Sequence, residues 1–143
     1  IHRAVVEIDR DTLALKILEY AVVSDAGPLI NPLIVDGQIE GGVAQGIGSA
    51  LYEEVLIGDD GAVVNPVFRQ YRVPQMADIP VTEVSFANTS DSLGPFGAKS
   101  MSESPFDPVT AALGNAIARA LGVRPYELPM SRDRVWRLIR DAT

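Results

Sequence analysis

Between Val35 and Glu54 the chain reads Val-Asp-Gly-Gln-Ile-Glu-Gly-Gly-Val-Ala-Gln-Gly-Ile-Gly-Ser-Ala-Leu-Tyr-Glu-Glu, with Ile39, Val43, Ile47, Ala50 and Leu51 at helical spacing. Gly41, Gly42, Gly46 and Gly48 interrupt that stripe. Each interior glycine costs a helix about 1 kcal/mol relative to alanine, so these positions together set roughly 4 kcal/mol against helix formation. A helix that forms here regardless must bring something close. That something is either another backbone, packed tightly, or a ligand approaching bare N–H groups at a helix start, where the dipole favours an anion. The sequence leaves both uses open. Gln38 and Gln45 stand two helical turns apart and can present amides on one face, although a solvated polar stripe would read the same way.

The rest of the chain predicts an α+β domain around that segment. Ala4 to Asp9 and Leu13 to Val23 read as two strands of an N-terminal hairpin, turned at Asp9-Arg10-Asp11-Thr12, with Leu13, Leu15 and Ile17 on one side. Ser24 to Pro32 reads as a rigid connection, because Pro28 and Pro32 extend the residues before them. Gly58-Asp59-Asp60-Gly61 signals a turn into a strand over Ala62 to Val67, with a short strand over Phe68 to Pro74 and a better one over Val81 to Ala87. Helices are expected near residues 37 to 55, 108 to 121 (Asp107 as cap, Pro108 in the first turn, Gly122 as stop) and 131 to 141 (Ser131 as cap, with Val135, Leu138, Ile139 and Ala142 inward). The expectation is therefore a mixed sheet, built from the hairpin and the strands after Gly61, covered by about three helices.

One carboxylate stands out. Glu103 lies in Pro95-Phe96-Gly97-Ala98-Lys99-Ser100-Met101-Ser102-Glu103-Ser104-Pro105, which has neither helical nor strand periodicity and is bounded by prolines. Such a loop has few conformations, which suits a placed acid or base; an ordinary solvated glutamate is the competing reading.

Composition excludes several chemistries. A chain of 143 residues, 47% hydrophobic and 22% charged, has the size and make-up of one globular domain. Without cysteine there is no disulfide and no thiolate-bound metal or cluster, and the only histidine, His2, is expected at a fraying terminus. Zinc hydrolases, Ser-His triads and redox thiols are thereby set aside. A net charge of -7 opposes general nucleic-acid binding. No apolar run approaches the roughly 20 residues of a spanning helix, no signal peptide is visible, and a cytoplasmic location without membrane contact is expected. The chain opens on Ile1 with strand-like residues almost at once, so it is expected to be a piece of something longer.

The order and spacing of Asp25-Ala26-Gly27, Ile30-Asn31-Pro32, Gly37 to Gly48, Tyr71-Arg72-Val73-Pro74, Asp78-Ile79-Pro80, Gly94 to Lys99 and Glu103 resemble the C-terminal part of the molybdopterin-binding subunit of the xanthine dehydrogenase and aldehyde oxidase family of molybdenum hydroxylases. The resemblance runs over nearly all of residues 1–143 and implies one half of a molybdenum-cofactor-binding domain. It implies that Gln38, Gly41, Gly42, Gln45, Gly46, Ser100 and Ser102 lie on the cofactor, molybdopterin either plain or as its cytosine dinucleotide. The metal would be held through the pterin's own sulfurs, so no protein ligand to it is expected. Glu103 would be the general base of a reaction that hydroxylates an aldehyde or N-heterocycle carbon with water-derived oxygen.

The resemblance also implies partners: the remaining molybdopterin-binding region, iron–sulfur and flavin domains or subunits, and a small-molecule substrate. Alone, the chain would be inactive. One departure is that Ser100-Met101-Ser102 stands where the family more often has Gly-x-Gly, placing two hydroxyls beside the carboxylate and bearing on substrate class more than on reaction type. The alternative is a folded half-domain that serves only as an interface and holds no cofactor.

Overall fold

The computed structural model describes residues 1–142, and its architecture is α+β, as the sequence predicts. The strands β1 (His2–Ile8) and β2 (Leu15–Ser24) form the expected antiparallel hairpin, and β3 (Thr82–Phe86) pairs parallel to β2, giving a mixed three-stranded sheet in the order β1-β2-β3. Asp9 builds the hairpin turn: its carboxylate accepts from the Asp11 and Thr12 N–H groups at 3.1 and 2.7 Å and from the Thr12 hydroxyl at 2.8 Å.

The register slips between Val5 and Val6, which face Glu19 and Ile17 and leave Leu18 as the extra residue of a bulge. The bulge changes the phase of the inward face, so Ile17 is buried before it and Tyr20, Val22 and Ser24 after it. Simple alternation from Leu13 onward predicts the wrong side for the second half of the strand.

Among the described residues only one strand follows Gly61. Val63 makes a lone bridge with Ile57, and the segment from 62 to 74 is otherwise irregular. Pro66 and Pro74 lack the N–H groups that strands over Ala62 to Val67 and Phe68 to Pro74 would need. Buried Asn65 pins this excursion instead, accepting from the Leu56 N–H at 2.9 Å and donating to the Glu54 carbonyl at 2.7 Å.

Helix α1 runs over Pro32–Leu51, starting five residues before the expected 37. The Asn31 carboxamide oxygen accepts from the Ile34 N–H at 3.2 Å, and Pro32 occupies the first turn, so Asn-Pro is the true start signal. Helix α2 spans Asp107–Leu121 and closes on Gly122 at φ 77; Asp107 is its first residue and not its cap, since Phe106 holds that place without a side-chain bond. Helix α3, Arg132–Ala142, follows Ser131, whose hydroxyl accepts from the Arg134 N–H at 3.4 Å. Val135 is buried and Leu138 and Ile139 are partly so, while Ala142 is exposed, contrary to the expected inward face.

Helices α1 and α2 cross each other, α2 packs over β1 and α1 reaches β3. Between them Ile39, Val43, Ile47, Val109, Leu113 and Ile117 are fully buried against Tyr20 and Val22. Each such side chain contributes about 1.5–3 kcal/mol on burial, which outweighs the glycine cost in α1. His2 is ordered in β1, contrary to the expected fraying: its Nδ1 lies 2.9 Å from the Tyr20 hydroxyl and its ring meets the tyrosine edge-on.

Candidate functional site

The open side of α1 carries Gln38, Gly41, Gly42 and Gln45, at positions i, i+3, i+4 and i+7, which is one face of a helix. Across from it, the segment that leads into α2 presents Ser102, Glu103 and Phe106. Together these residues line a cleft of about 550 Å³. Six of the eight residues singled out in the sequence thus share one surface feature. Gly46 and Ser100 do not: Gly46 is buried under α2, and Ser100 is exposed outside the cleft lining.

The glycines of α1 divide by neighbour. A Cβ added at Gly42 would lie 2.7 Å from Pro105 Cγ, and one at Gly46 2.7 Å from Val109 Cβ and 3.1 Å from the Phe106 carbonyl oxygen. At these two positions the missing side chain lets α1 lie tight against the start of α2 and the residues just before it. Gly41 differs, because nothing lies within 4 Å of where its Cβ would stand. Its exposed backbone opens directly onto the cleft. None of these glycines is at a helix start, so their N–H groups serve the helix, and of the two uses left open by the sequence the approach of a ligand to bare amides at a helix start is not met at these positions. The donors the cleft does offer are the carboxamides of Gln38 and Gln45 and the hydroxyl of Ser102.

Glu103 is placed by its two flanks. On the C-terminal side its carbonyl accepts from the N–H groups of Phe106 at 2.8 Å and Asp107 at 3.1 Å, and Pro105 is buried against Gly42. On the N-terminal side, partly buried Met101 packs on the core and its sulfur receives the hydroxyls of Ser104 at 3.2 Å and Ser24 at 3.7 Å. Further back, Lys99 donates its N–H to the Ala26 carbonyl at 2.9 Å and its Nζ to Asp25 Oδ2 at 2.8 Å. Asp25 also accepts from the Thr89 hydroxyl and the Gly27 N–H. The Lys99 bond, then the Thr89 bond, hold the Asp25 carboxyl down at about 2. Gly27, at φ 62, lets the backbone of Ala98 and Lys99 come within 3.3 Å of its absent Cβ.

Sequence reasoning missed Phe106 as a cleft wall and Asp25 with Thr89 as anchors. Phe106 adjoins the Asp107-Pro108 start and reads as a helix boundary, while Asp25 and Lys99 are 74 residues apart and meet only in the fold. A second cavity of about 490 Å³ lies among Leu13, Leu51, Ile117, Met130 and Val135, with Arg72 and Asp78 at its edge; it holds none of the singled-out residues. Among the described residues no cluster of His, Asp and Glu is arranged to hold a metal ion, and no helix is long and apolar enough to cross a membrane.

The donor set fits a cofactor held through its organic part. There is open space over Gly41, three neutral polar side chains line the same cleft, and among the described residues no basic one lines it. Residues 1–80 match the family of the molybdopterin cofactor-binding domain. The chain is 40% identical over 115 residues to the putative xanthine dehydrogenase molybdenum-binding subunit of Escherichia coli K12, covering 80% of this chain and 15% of that one. It is 37% identical to the nicotine 6-hydroxylase large subunit of Paenarthrobacter nicotinovorans, over 95% of this chain and 17% of that one. Among solved structures it superposes on quinoline 2-oxidoreductase from Pseudomonas putida 86 with a TM-score of 0.92 and 37% identity, over 98% of this chain and 18% of that one. The chain therefore spans less than a fifth of the length of these relatives, and it belongs to the molybdopterin cofactor-binding domain family of the xanthine dehydrogenase-type molybdenum-binding subunits.

Proposed function

We propose that residues 1–143 form one cofactor-binding domain of a larger molybdenum hydroxylase subunit, and that the cleft between α1 and the Glu103 segment is where the cofactor and the reacting carbon meet. The observation that carries this reading is the facing of the Gln38-Gly41-Gly42-Gln45 stripe by Ser102 and Glu103 across one open cleft. When bound, the cofactor supplies the two-electron redox chemistry. Gln38 and Gln45 would hold it through amide hydrogen bonds, whether plain or as the cytosine dinucleotide, and Gly41 would leave room for it against α1. Ser102 offers a further donor beside Glu103.

Glu103 carries the proton transfer. As general base its carboxylate takes the proton from the water-derived oxygen as that oxygen is committed to an electron-poor carbon of an aldehyde or N-heterocycle, and so keeps the nucleophile charged without a basic side chain nearby. Iron–sulfur and flavin groups on partner domains or subunits would supply the onward electron transfer. The cytoplasm is the proposed location.

The direct test of cofactor placement is metal and pterin content. In the assembled enzyme, Gln38→Leu with Gln45→Leu should retain the fold and lose most of the bound molybdopterin. Unchanged content would favour the interface-only reading, in which this half-domain holds no cofactor.

A further inference from the structure

Glu103 belongs to a run of three exposed residues, with Ser102 and Ser104 beside it, set between two fixed regions. The C-terminal one is Pro105 on α1. The N-terminal one is formed by Lys99 and Met101, and it is anchored to the chain immediately after β2. A carboxylate on so short a span takes its position from where the two ends are held. Movement at Lys99 would be transmitted to Glu103 within four residues, whereas the core beneath α1 and α2 would be unaffected.

We infer that Asp25 and Lys99 act as a positioning pair for Glu103, an electrostatic clasp that fixes the N-terminal end of its loop relative to Gln38 and Gln45. This rests on the reading of Glu103 as the base. Asp25 is suited to the task because its one carboxylate joins three segments: its own turn through the Gly27 N–H at 3.2 Å, the exit of β3 through the Thr89 hydroxyl, and the Glu103 loop through Lys99 at 2.8 Å. The Lys99 N–H on the Ala26 carbonyl gives the clasp a second strand of support. The pair is partly exposed, with 30% and 43% of the Lys99 and Asp25 side chains accessible. Ion pairs this exposed add little to global stability, so its consequence should be geometric more than thermodynamic.

The test uses the holoenzyme that carries this chain. Lys99→Met and Asp25→Asn should each lower kcat at least tenfold with KM within about twofold of the parent, with molybdenum content and melting temperature little changed. A misplaced base produces that split. The double variant should be no slower than the slower single one, since both remove the same clasp. Lys99→Arg should recover part of the rate. Hydrogen exchange at the Phe106 and Asp107 amides, which report the Glu103 carbonyl, should quicken in both single variants. Parental kcat in Lys99→Met, or loss of molybdenum in step with rate in both variants, would overturn the positioning role. Glu103→Gln in the same background separates the two readings. If it keeps the parental rate, the base assignment falls, and amide exchange alone then decides the clasp: quickened exchange supports it and unchanged exchange overturns it.

Discussion

At the scale of single residues, the glycines of α1 separate packing from ligand approach. Gly46→Ala would force Val109 aside, and overpacking of this kind typically costs about 1–3 kcal/mol, more than the roughly 1 kcal/mol that helix propensity returns. A lowered urea midpoint is the expected result. Gly41→Ala meets no atom within 4 Å, so the isolated chain should gain up to about 1 kcal/mol while the holoenzyme loses cofactor. Midpoints moving in opposite directions for the two alanines would be the signature. His2 gives a pH effect of definite sign. Burial lowers its pKa from 6.5 to about 4. The unfolded chain therefore binds the extra proton between those values, and stability should fall as pH drops from about 6.5 toward 4. His2→Gln should flatten that part of the urea-midpoint profile.

At the scale of elements, what was legible in the sequence followed local chemistry, and what was not depended on contacts across the chain. The hairpin turn at Asp9 and the stop of α2 at Gly122 were readable because each is determined by its own few residues. The start of α1 is not legible locally, because Pro32 fits the end of an extended connection as well as the opening of a helix capped by Asn31. Asn31→Ala should accordingly cost about 1 kcal/mol in chemical denaturation. The bulge at Leu18 leaves no local mark, and the strands expected after Gly61 were lost to prolines and to Asn65 serving as a substitute ladder. The Asp25 clasp also belongs at this scale. Its carboxyl is held at about 2, against 3.8 unperturbed, so its stabilisation is complete above about 3.8 and disappears as pH falls toward 2. In chemical denaturation, Asp25→Asn should lose that acid-side dependence.

At the scale of the whole molecule, the family resemblance implied a molybdopterin-binding domain, and residues 1–80 match the family of that domain. The cleft itself was partly legible. Gln38, Gly41, Gly42, Gln45, Ser102 and Glu103 meet there because α1 and the segment before α2 are brought together by Gly42 on Pro105. Gly46 falls away because a helix rotates 100° per residue and turns it under α2, and Ser100 is exposed outside the cleft lining, neither of which a linear motif displays. The central claim is that Glu103 moves the proton. In the holoenzyme, with molybdenum content held equal, the rate of enzyme reduction by substrate in a single turnover should fall by about 10² or more in Glu103→Gln, since a general base contributes about 10² to 10⁴ and an amide cannot accept the proton. A Glu103→Gln enzyme that keeps its cofactor and is reduced within about tenfold of the parental rate would contradict the account.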